Sequence, residues 1–100
     1  MTHRPTPTQA DAIRILAEHG GIIEYRKGGF WTYPGCVEHQ TRAAGATFMV
    51  PEWYITAHTV KALAKRGWLE RCHRYVDAWR DDHRLTEAGV QAEGASRGRR

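Results

Sequence analysis

One hundred residues allow a single domain with one modest hydrophobic core and leave little room for a substrate cleft between lobes. The formal net charge of +4 suggests an anionic partner, but Arg97, Arg99 and Arg100 supply three of the 15 basic residues, and residues 1–94 hold 12 basic against 11 acidic groups. The body is near neutral, so any electrostatic footprint on it is local.

Thr8 and Asp11 have the spacing of a capping box, and Ile13, Leu16, Ala17 and Gly20 follow helical spacing. The first helix is predicted over Gln9 to His19 and ends on Gly20-Gly21, residues suited to positive φ. Ile22 to Arg26 and Phe30 to Tyr33 read as two strands of a hairpin turned by Lys27-Gly28-Gly29 and stopped by Pro34-Gly35. From Cys36 to Val50 the periodicity fades, and the segment is expected to be mostly loop.

An aromatic cluster, Trp53 and Tyr54, precedes Thr56, whose side chain is expected to cap a helix over residues 57–66. Its inner stripe is Val60, Leu63 and Ala64, and Gly67 ends it; His58, Ala62 and Lys65 face away, flanked by Thr59, Lys61 and Arg66. No acid interrupts that outer face. Trp68 to Val76 then reads as a strand, Asp77 to Asp82 as a turn, and His83 to Leu85 as a returning strand. Thr86 is expected to cap a short helix reaching about Ala92, so residues 1–94 form the single domain and 95–100 a disordered basic tail.

The order of elements, with T-V-K-A-L-A-K-R-G-W-L at Thr59 to Leu69 and R-L-T-E-A-G at Arg84 to Gly89, resembles the winged-helix regulators of the MarR and PadR type. The matching segments cover about a third of the chain and imply an α+β fold, a small winged-helix domain with an additional N-terminal β-hairpin. They also imply a recognition helix carrying His58, Thr59, Lys61, Ala62, Lys65 and Arg66, with a wing over residues 68–85 carrying Arg71, Arg74, Arg80 and Arg84. Such a helix fits the major groove of duplex DNA while the cations neutralise phosphates, so a small transcriptional regulator is the expected function.

Two features depart from that family. The interval between the first helix and Thr56, where a second helix of the helix-turn-helix belongs, is long and holds the glycine-rich hairpin and the irregular segment. The chain also contains no asparagine, and no glutamine lies between Thr56 and Gly67, which removes the usual bidentate reading of adenine from this helix.

A protein-binding winged helix is the competing expectation: an adaptor, or a phage-type inhibitor of a nucleic-acid-handling defence complex. Trp79, at the turn between the last two strands, is the leading candidate for an exposed partner contact, joined by Trp31 and Tyr33 on the aromatic hairpin. Should the chain pair as a homodimer, that hairpin is the expected surface, since its aromatic area exceeds what a two-stranded ribbon hides alone. Trp53 and Trp68, flanking the capped helix, are expected in the core.

Catalysis and cofactors find little support. The only serine is Ser96 in the tail, neither cysteine sits in a nucleophile signature, Asp81-Asp82 reads as a solvated turn, and no phosphate-binding glycine loop occurs. Cys36 with His39 has C-x-x-H spacing and Cys72 adjoins His73, but adjacent residues rarely reach one ion, so no metal is expected. The absence of an apolar run of signal or membrane-spanning length, with two cysteines suited to a reducing compartment as free thiols or to a single bridge, leads to a cytoplasmic expectation.

Overall fold

Thr6-Pro7-Thr8-Gln9 starts the first helix, α1 (Pro7–Glu18). The capping box forms here and not at Thr8 and Asp11: the Gln9 backbone N–H donates to the Thr6 hydroxyl (3.1 Å) and the Thr6 N–H donates to the Gln9 side-chain oxygen (2.9 Å). Both pairs have the same spacing, but Pro7 at the first helical position fixes the chain start, and Asp11 pairs with Arg14 instead. Ala12, Ile13 and Leu16 form the buried stripe, and the N–H groups of His19 and Gly21 close the C-terminus on the Leu16 carbonyl.

The computed structural model describes residues 4–73 and 82–97. After α1, β1 (Ile22–Arg26) turns into β2 (Phe30–Thr32) with Tyr25 opposite Trp31, as expected from the β-formers and Gly28-Gly29, both at positive φ. The segment expected as loop is instead a second hairpin, β3 (Glu38–Ala43) and β4 (Ala46–Pro51), turned at Ala44-Gly45. Most of its side chains are exposed, so the in-out alternation that reveals a strand in sequence is missing. Arg26 ties its base to β1, donating to Glu24 (2.9 Å), to Glu38 (2.6 Å) and to the Cys36 carbonyl (3.3 Å). Burial alone lowers the Arg26 pKa, but these two carboxylates more than offset it and hold it above the ordinary value.

Helix α2 (Ala57–Lys65) follows, then β5 (Leu69–His73), β6 (Asp82–Leu85) and α3 (Glu87–Arg97). The Thr86 hydroxyl accepts from the Gly89 N–H (3.1 Å), the expected cap. The helix runs past Ala92, so residues 95–97 of the expected tail are helical; Gln91, Glu93 and Ala95 favour helix, and α3 packs on α1 with Glu93 buried.

The strands pair antiparallel in the order β2-β1-β6-β5, with β3-β4 as a separate ribbon. The N-terminal hairpin is thus half of one sheet completed by the C-terminal strands, through Ile22 opposite Arg84 and Ile23 opposite His83. A pair of hydrogen bonds between Trp31 and Ile55 closes the outer edge of β2. The core, including Ile13, Leu16, Ile23, Trp31, Val60, Leu63, Trp68 and Leu69, lies between this sheet and the helices. The chain is therefore a small α+β domain with, among the described residues, three helices and a mostly antiparallel sheet. Between α1 and α2 stand two hairpins and no helix.

Candidate functional site

The Thr56–Gly67 segment folds as a helix whose Val60 and Leu63 are buried, leaving His58, Lys61 and Lys65 exposed and Thr59 and Ala62 half-buried on its flanks. Thr56 occupies the cap position, but its hydroxyl lies 3.5 Å from that of Thr59 and makes no cap bond to the backbone. Leu63 faces the core because it stands three residues after Val60, and the four-residue spacing of Lys61 and Lys65 directs them together to another side.

Strand alternation supplies the opposite wall. Leu69 and Arg71 share one face of β5, His83 and Leu85 one face of β6, and Ile23 and Tyr25 one face of β1; the register sets Arg71 beside His83 and His83 beside Ile23. This face is fully covered at Ile23 and Leu69, half-buried at Tyr25 and His83, and exposed at Arg71. Between it and α2 runs a groove of about 660 Å³. Tyr25, Trp31, Val60, Ala64 and Leu69 give it apolar walls, with Lys61, Lys65 and Arg71 around them. The three rings form an edge-to-face cluster: Tyr25 and Trp31 have centroids 5.5 Å apart, Trp31 and His83 5.9 Å.

The charges of the expected site divide between two faces. Lys61, Lys65 and Arg71 meet at the groove, and among the described residues neither lysine has an ion-pair partner. Glu70, the acid at the groove, is engaged by Arg84 at 2.7 Å, and this hydrogen bond holds the Arg84 pKa above its ordinary value. Arg84 follows His83 on β6 and Glu70 precedes Arg71 on β5, so strand alternation turns both side chains to the other face of the sheet, apart from the lysines. Arg66 sets its guanidinium over the Trp68 ring, 5.3 Å from the centroid, at the end of α2. Arg74, Arg80 and Trp79 lie outside the described residues.

The two hairpin aromatics expected as partner contacts serve the interior. Trp31 is 3% exposed because it stands on the core face of β2 with its strand edge bonded to Ile55. Tyr33 is half-buried, stacked on His19 (3.7 Å, planes 2° apart) and against Trp53 (6.0 Å, 19°). The expected dimer surface is largely spent in this way. Trp68 is buried and Trp53 packs on the core, as expected.

No family model, curated protein or solved structure matches this chain. Among the described residues no helix is long and apolar enough to cross a membrane. Both cysteines are unbridged, Cys36 buried and Cys72 exposed. Burial pushes the Cys36 thiol up, but the nearby polar groups of Thr32, Tyr33 and the Glu52–Trp53 backbone overcome this and bring its pKa below the ordinary range. The Tyr33 hydroxyl is raised in turn, chiefly by its bond to that sulfur.

Sequence reasoning missed Tyr25 and His83 as groove residues. Each lies two positions from an apolar strand residue, Ile23 and Leu85, so alternation places them on the core face once the strands are known to pair. That β1 pairs with β6 is written nowhere in the local pattern.

Proposed function

We propose that this chain is a DNA-binding protein of winged-helix character, a small transcriptional regulator that contacts duplex DNA through α2 and the adjoining β5–β6 strands. The observation carrying this reading is the convergence of Lys61, Lys65 and Arg71, from a helix and a strand, on one side of the domain where Glu70 is already paired. Lys61 and Lys65, which have no ion-pair partner among the described residues, lower their mutual repulsion by taking up phosphates, with release of counterions from the duplex. Because α2 bears no asparagine or glutamine, contact is mainly to phosphate, and discrimination between sequences is weak.

Titration of a labelled duplex at several salt concentrations tests the reading. Three phosphate contacts give a slope of about −2.7 in log affinity against log salt, and Lys65→Ala makes it shallower by about 0.9. A titration silent at low salt, or unchanged when Lys61, Lys65 and Arg71 are all made Glu, refutes it. That outcome would leave the protein-binding reading, which Phe48 (42% exposed) and Met49 (48%) on the β3–β4 ribbon favour.

A further inference from the structure

The groove beside α2 combines two features that a purely phosphate-binding surface does not need: an aromatic wall and room for a small molecule in a half-open recess. Its volume, about 660 Å³, falls in the range of sites that enclose small organic ligands. A continuous duplex offers such a recess its phosphates and base edges but no base face, because its bases are stacked inside. An unpaired nucleotide offers both an aromatic face and a phosphate.

We infer that the groove seats an unpaired nucleotide, its base against the half-buried rings of Tyr25 and His83, which are backed by the buried Trp31, and its phosphates on Lys61, Lys65 and Arg71. The inference rests on the nucleic-acid reading and narrows it: the favoured partner is DNA carrying an unpaired base, at an overhang or a single-stranded stretch. The chemistry is complementary in both halves. Aromatic side chains stack on any base, which makes the contact tolerant of sequence, in keeping with an α2 that lacks adenine-reading amides. The cations stand at the apolar recess itself, so base and phosphate can be engaged together.

The test compares three labelled probes by fluorescence anisotropy at low salt: a blunt duplex, the same duplex with a three-nucleotide thymidine overhang, and a ten-nucleotide oligothymidine. Stacking of one base predicts about tenfold tighter binding of the overhang than of the blunt duplex. Tyr25→Leu, which keeps apolar volume and removes the ring, should abolish that gain, and Tyr25→Phe should keep it. Since Tyr25 also packs on the core, Ala57→Trp provides a second variant: Ala57 is exposed at the groove, and the added ring fills the recess from outside. It too should erase the overhang preference.

Equal binding of blunt and overhang duplexes overturns the inference and leaves the duplex reading intact. Binding of oligothymidine without binding of the blunt duplex upholds the inference and removes the duplex reading. If none of the probes binds, both fall. Displacement of oligothymidine by polyglutamate at equal charge concentration would show that the groove responds to charge alone, and would also overturn the inference.

Discussion

Gly89 and Thr86 explain why the two sequence segments that first draw attention, Thr59 to Leu69 and Arg84 to Gly89, belong together. The Thr86 hydroxyl donates to the Gly67 carbonyl (2.6 Å) while accepting from Gly89, and the Thr86 N–H donates to the Trp68 carbonyl (3.0 Å). The end of α2 and the start of α3 are thereby joined through one residue. At Gly89 a Cβ would stand 2.6 Å from the Trp68 carbonyl oxygen and 3.1 Å from the Trp68 Cβ, inside contact distance of backbone. Gly89→Ala should therefore destabilise by about 1–3 kcal/mol although alanine is the better helix former. Equilibrium denaturation measures this, and a more stable variant would show that α3 is free to shift.

The Cys36 and Tyr33 pair makes stability depend on alkaline pH. The Cys36 pKa is depressed in the folded chain, so the unfolded chain holds the proton more tightly and stability rises as pH climbs through the folded value towards the ordinary 9.0. Tyr33 is raised, so above its ordinary 10.0 the folded chain holds the extra proton and stability falls. Cys72, exposed on the surface but pushed up by partial desolvation and by the nearby Asp82 carboxylate, opposes the rise above 9.0, and a Cys72→Ser background removes it. In that background the denaturation midpoint should pass through an alkaline maximum. Cys36→Ala should abolish the rising limb; its survival would place the titrating group elsewhere.

At the scale of elements, local chemistry marks α1, β1, β2 and α2 well because each buries residues of a recognisable pattern. Helical spacing at Ala12, Ile13 and Leu16, and at Val60 and Leu63, is the direct imprint of a core on one face. The β3–β4 ribbon has almost no buried side and left no such imprint. It is held by its ladder, by Arg26 at its base and by a turn in which Ala44 adopts φ 51° beside Gly45 at 76°. A non-glycine residue in this region is strained, whereas Asn-Gly is the preferred pair for a two-residue turn of this hand. Ala44→Asn should stabilise the ribbon by about 0.5–1 kcal/mol. Hydrogen exchange should slow at ribbon amides and stay unchanged in α1; faster exchange in the ribbon would show that the alanine is preferred there.

For the whole molecule, the decisive fact is that strands from opposite ends of the chain form one sheet. The candidate groove exists because Arg71 and His83 from the C-terminal half and Tyr25 from the N-terminal half are carried to one side of α2. The basic character of Lys61 and Lys65 was legible from α2 alone, whereas Arg71 of β5 joins them in sequence only through the winged-helix resemblance. The separation of Arg84 from them was not, because the strand face it takes depends on the register with Glu70. Nor was the burial of Trp31: an aromatic residue on a hairpin reads the same in sequence whether its face meets solvent or a helix, and here Ile55 and the core take it. The salt dependence expected of the proposed duplex binding belongs at this scale too, since it counts cations that the fold has gathered and not those the composition contains.

By itself the sequence determined the three helices, the first hairpin, the glycine at the end of α2 and the cap at Thr86, each a matter of neighbours a few residues apart whose spacing and backbone preferences are local. Only the tertiary structure decided that the two halves share a sheet, that residues 38–51 form a ribbon where the local pattern reads as loop, and which cations stand together. Those outcomes depend on pairing between distant strands, and the energy that selects one pairing comes from the common core they bury, which no short stretch of chain contains.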